Sequence, residues 1–187
     1  MQNTGTGWLM ASITPSPLLI SLVQAAMSLP VFLVALPAGA LADMVDRRRL
    51  LLFTQLWMAL IAAVLGAFTI AGWMTPWPLL GLTFIMGLAE VMNDPAWQAI
   101  TPEIISGQRH ASAVALNSAG YNVARAVGPA VGGLIIAGAG SGAAFLLNAI
   151  SFFGVILFLY RWKRRPHLPV MVPLKPYQPV EKEKKSI

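Results

Sequence analysis

The sequence predicts an all-α, polytopic membrane bundle of five complete transmembrane helices, preceded by a truncated N-terminal one. Three observations carry this. The chain is 57% hydrophobic and only 11% charged, with a mean hydropathy of +0.68, whereas soluble domains carry about 25% charged residues. Residues 17–42 and 50–72 contain no charge at all, and each run exceeds the roughly 20 residues that a helix needs to cross the hydrocarbon. Between them, residues 43–49 hold Asp43, Asp46, Arg47, Arg48 and Arg49. Each such charge costs about 2.5–3.5 kcal/mol at the centre of a span. The cluster therefore sits at water and marks where two helices turn around. Short loops rich in Lys and Arg stay on the cytoplasmic side, which orients the turn.

Taken in order, residues 1–12 are apolar only from Trp8 onward and are too short to span. Thr14-Pro15-Ser16-Pro17 is a turn with an N-cap candidate, Ser16, ahead of a proline at the first helical position. The first complete span is 17–42, bent by its internal Pro30 and Pro37. The second is 50–71, closed by Gly72 and the uncharged turn Trp73-Met74-Thr75-Pro76, where Trp73 and Trp77 fit an interfacial aromatic belt. The third, 77–97, carries Glu90, Asn93, Asp94 and Pro95, and a polar connection with Glu103, Arg109 and His110 follows over 98–111. The fourth covers 112–137, and a glycine-rich turn over 138–142 leads to the fifth, 143–160. Residues 1–165 form one unit, and the basic, proline-rich tail 166–187 is expected to be disordered.

The charges agree with this order. Connections at 12–16, 72–76 and 138–142 have none, while those at 43–49, 98–111 and from 161 onward hold all the interfacial Lys and Arg. The C-terminal tail is then cytoplasmic and the chain is multi-pass in the cytoplasmic (inner) membrane. The net charge of +6 belongs to this positive-inside pattern, so no nucleic-acid partner is implied; the bilayer is the expected partner, with anionic headgroups beneath the tail. The chain has no cysteine, which excludes disulfides and thiolate chemistry. His110 and His167 have no further ligand at metal spacing, so neither a metal nor another cofactor is expected. With no basic stretch ahead of an apolar run at the N-terminus, no cleavable signal is expected.

The hinge resembles the signature between the second and third helices of major facilitator superfamily transporters, Gly-x-Leu-x-Asp-x-x-Gly-Arg-Arg/Lys. Gly39, Leu41, Asp43, Arg47 and Arg48 match it in place, and Asp46 stands at the second glycine. In the fourth span, Gly128-Pro129-Ala130-Val131-Gly132-Gly133 resembles the Gly-Pro-x-x-Gly-Gly core typical of proton-driven exporters, with Ala124 where an upstream glycine is usual. The stretch Asp94-Pro95-Ala96-Trp97 through Glu103 is similar to the enterobactin-exporter and macrolide-efflux branch. The resemblance covers residues 1 to about 165 and implies one half of a twelve-helix transporter, beginning inside the first helix and ending after the sixth.

For individual residues the resemblance implies a charge latch of Asp43, Arg47 and Arg48 with Glu103, which biases one conformation of the rocker. The alternative is a hinge that only sets topology. Glu90 and Asp94 lie i, i+4 on one helix, and Arg125 sits near the middle of the next. Ionisable residues at such depth face a partner or a wet cavity; they form either a proton-coupling site or a structural ion pair. Gly120, Ala124, Gly128 and Gly132 make a small-residue stripe that admits close helix approach. Pro129 removes the hydrogen bond to Arg125 and bends the helix there. With Gly133 these residues form either a kinked gate or ordinary packing. Asn117, Asn122 and Asn148 are further polar-path candidates.

No paired carboxylates, Ser/His pair or metal cluster converge at one depth, which argues against an enzyme. The resemblance implies half of a proton-coupled exporter of small amphipathic molecules, drugs or siderophores, completed by a second half or by self-association. The alternative is an inactive transporter fragment or a membrane assembly partner without transport activity.

Overall fold

The computed structural model describes residues 2–104 and 110–161. Every element among them is helical: α1 (Gln2–Ile13), α2 (Pro17–Met44), α3 (Arg47–Ile70), α4 (Pro76–Ile104) and α5 (His110–Arg161). Three are long and apolar enough to cross a bilayer, over Pro17–Leu41 in α2, Arg47–Ile70 in α3 and Ala115–Arg161 in α5. The last, at 47 residues, has the length of two crossings. In α4, Glu90, Asn93 and Asp94 dilute the apolar run.

Local chemistry sets the breaks. Thr14 Oγ1 accepts from the Ser16 amide at 3.2 Å, and Pro17 opens α2 while the Ser16 side chain makes no capping bond. The proline removes one of the amides that would otherwise be left unpaired at the helix start. α2 runs unbroken through Pro30 and Pro37. α3 ends in a Schellman motif: Gly72 adopts φ +72°, its amide donates to Thr69 O at 3.2 Å, and the Trp73 amide donates to Phe68 O at 3.0 Å. Trp73 then packs edge-on against Phe68, ring centroids 6.2 Å apart. In α5 the break expected over 138–142 narrows to Gly140 (φ 80°, ψ 166°), a backbone region essentially confined to glycine. α4 continues to Ile104, past the point where the polar connection is expected to begin; polar side chains outside hydrocarbon do not stop a helix.

α3 is the spine of the bundle, packed on α4 and α5, while α2 lies on α4 and α1 on α5. One apolar cluster joins Leu9, Met10, Met58, Leu65, Leu79, Met86 and Phe145; a second, at the hinge end, joins Leu50, Leu51, Ala96, Ile100 and Leu159. Glycines permit the closest approaches. A methyl at Gly66 would lie 3.2 Å from Gly142 O, and one at Gly142 would lie 3.3 Å from Gly66 O, so α3 and α5 meet backbone to backbone. Gly87 likewise admits Pro30, and Gly5 admits Phe145. By contrast, Phe32 (84% exposed) and Leu36 (89%) on α2 and Leu116 and Leu134 (75% each) on α5 point outward, as lipid-facing or partner-facing residues do.

Candidate functional site

The charged hinge is tighter than a loop: only Val45 and Asp46 separate α2 from α3. The Val45 amide donates to Leu41 O at 3.0 Å. Asp46 is the N-cap of α3, its carboxylate accepting from the Arg49 amide at 3.0 Å while its carbonyl accepts from the Leu50 amide at 2.9 Å. The residue that departs from the superfamily glycine therefore satisfies an otherwise orphan amide and places a negative charge at the positive end of the helix dipole. Arg47 opens α3. Arg48 reaches across the bundle, its Nε donating to Leu159 O at 3.0 Å and its Nη2 to Tyr160 O at 2.8 Å. Those are terminal carbonyls of α5, which a helix leaves unpaired. The side chains of Asp43 and Glu103 lie outside the described residues.

A second group of polar residues gathers around a cavity of about 510 Å³ between α1, α4 and α5, lined by Gln2, Asn3, Glu90, Tyr121, Arg125 and Asn148 among others. Asn148 Nδ2 donates to Gln2 Oε1 at 3.0 Å. Gln2 Nε2 is buried without a hydrogen-bond partner. Arg125 lies over the Tyr121 ring, 5.8 Å from its centroid, a cation–π contact. Glu90 and Arg125, both exposed, line this cavity and form no ion pair with each other. Asp94, one turn along, faces a separate cavity of about 990 Å³ with Gln98, Asn117, Tyr121 and Asn122, and a groove beside Val31 and Ala35 of α2.

Among the described residues the small-residue stripe has open space beside it at Gly120 and Gly128. A methyl on Gly120, Gly128 or Gly133 would meet nothing within 4 Å; Pro129 is exposed and Gly132 buried. Sequence reasoning also missed a buried polar bridge between α3 and α4. Asn93 Oδ1 accepts from Thr54 Oγ1 at 3.2 Å and from Gln55 Nε2 at 3.0 Å, and Gln55 Oε1 is left buried and unpaired. The signal was the Thr54-Gln55 pair inside an otherwise apolar span.

A family model described as "transmembrane secretion effector" matches residues 1–173. The chain belongs to the major facilitator superfamily. It is similar to the staphyloferrin A transporter of Staphylococcus aureus (strain NCTC 8325 / PS 47), 28% identical over 154 residues, covering 82% of this chain and 39% of that protein. It is also similar to the uncharacterized MFS-type transporter YfiS of Bacillus subtilis (strain 168), 30% identical over 145 residues, 76% of this chain and 34% of that one. This major facilitator chain thus spans less than two fifths of the length of the curated relatives it matches. No solved structure matches it. The superfamily is one of multi-pass membrane transporters, and membership points toward transport and away from catalysis.

Proposed function

We propose that the chain forms one bundle of a proton-coupled exporter of small amphipathic molecules, resident in the inner membrane with its hinge and tail toward the cytoplasm. The observation that carries this is the cavity holding Glu90 and Arg125 within an otherwise apolar bundle. Intramembrane charges are costly and are kept where they face a pathway or a partner. Glu90 takes up and releases the coupling proton at the cavity wall, and Arg125 modulates it from α5. α4 makes the crossing between the cytoplasmic and outer ends of its neighbours. The likeness to a siderophore transporter supports export of a polar-headed, amphipathic cargo.

Alternating access requires two bundles rocking about a midplane site, and the outward apolar faces of α2 and α5 suit a second bundle as well as lipid. At the hinge, Asp43, Arg47 and Glu103 serve as a latch on the inward end. Proteoliposome flux tests the reading. Together with a second bundle, the chain is expected to give saturable, proton-dependent efflux that Glu90→Gln abolishes; alone it is expected to give none. Flux unaffected by Glu90→Gln would overturn the coupling assignment.

A further inference from the structure

We propose that the cavity between α1, α4 and α5 is a recognition site for a zwitterion, a ligand bearing an ammonium and a carboxylate on one amphipathic body. The inference deepens the export reading and rests on the same cavity. Glu90 and Arg125, both exposed, line one space without an ion pair between them, which leaves both charges available to a ligand. Arg125 is braced from one side by the Tyr121 ring, which leaves the edge of the guanidinium for a carboxylate. That edge is a planar donor fork matched to two oxygens. Glu90 supplies the complementary acceptor for an ammonium.

The amides complete the site. Asn148 holds Gln2 by its carbonyl oxygen. Gln2, Asn3 and Asn148 line this cavity and bring amide groups to a wall that otherwise carries the two charges. At about 510 Å³ the space falls within the range of small-molecule sites. Pro129 and Phe152, which line the same space, offer apolar surface to the ligand body.

The test uses the full chain in lipid nanodiscs and three probes that share one body and differ in charge: phenylalanyl-phenylalanine, its methyl ester and its N-acetyl derivative. The zwitterion is expected to bind about ten-fold or more tightly than either derivative, since each loses one charge-assisted contact. Arg125→Gln should erase the preference over the methyl ester, and Glu90→Gln the preference over the N-acetyl form. Arg125→Lys, which keeps the charge and loses the fork, should retain part of the preference over the methyl ester. Equal binding of the three probes, tightest binding of a singly charged one, no binding of any, or a ranking unchanged by both neutral variants would overturn the proposal. If Arg125→Gln fails to insert, the wild-type ranking and Glu90→Gln decide alone. Absence of flux from the chain reconstituted with a second bundle, with this ranking intact, would count against the export reading only; flux with a cation-selective ranking would count against the zwitterion only.

Discussion

Arg48 offers the sharpest perturbation. Its guanidinium ties the start of α3 to the end of α5 through Leu159 O at 3.0 Å and Tyr160 O at 2.8 Å, over a sequence separation of more than a hundred residues. A hydrogen bond from a charged donor contributes about 1.5–3 kcal/mol when sheltered. Here the site is half-exposed, and screening brings each bond nearer to about 0.5–1 kcal/mol. Arg48→Ala should therefore cost about 1–2 kcal/mol, and the loss should be local. The amides of the last turn of α5 should exchange with deuterium about 5–30-fold faster, while those of α2 are unchanged. Arg48→Lys should recover part of the protection through one donor. Arg49→Ala is the control, because the described bond of Arg49 is made by its backbone amide. Equal protection of the α5 terminus in Arg48→Ala and Arg49→Ala would refute the tie.

Other substitutions separate the packing roles. Gly66→Ala and Gly142→Ala push a methyl against opposing backbone and against Leu146 or Ile70 and should each cost about 1–3 kcal/mol in detergent unfolding; Gly120→Ala, in open space, should be neutral or mildly stabilising. Asp46→Ala should cost about 1 kcal/mol through loss of the cap, and Asp46→Gly only a few tenths, measured by thermal unfolding; equal losses would mean that the cap contributes nothing. Asn93→Leu alone strands the Gln55 amide, while the Thr54 hydroxyl keeps Leu51 O as acceptor, and should destabilise more than the double change Gln55→Leu, Asn93→Leu; a double variant worse than the single one would refute the bridge.

Local signals were legible and distant ones were not. The arginine-flanked hinge, the Gly72 stop and the break near Gly140 follow from residues within a few positions of each other, and the sequence locates all three. Asp46 stands where the superfamily signature has its second glycine; its short side chain reaches the Arg49 amide, a role visible only once the start of α3 is fixed at Arg47. The partners of Arg48, the Gly66–Gly142 crossing and the Asn93 bridge depend on which helices are neighbours and how each is rotated. A pattern repeated every three to four residues says which face is apolar, and not which helix covers it. The spacing-four stripe shows the same limit: its small residues are real, but a methyl at Gly120 or Gly128 meets nothing within 4 Å among the described residues. Glu90 and Arg125 were placed at one depth by topology; that they share a cavity without pairing is a matter of helix separation.

Orientation in the membrane is the claim on which the cavity, the hinge and the tail all depend. The chain has no cysteine, so single cysteines can be read without background. Thr75→Cys, in the uncharged turn between α3 and α4, should react with an impermeant maleimide on intact cells, and Arg49→Cys should react only after the inner membrane is opened. The reverse pattern, or equal reaction at both sites on intact cells, would contradict it.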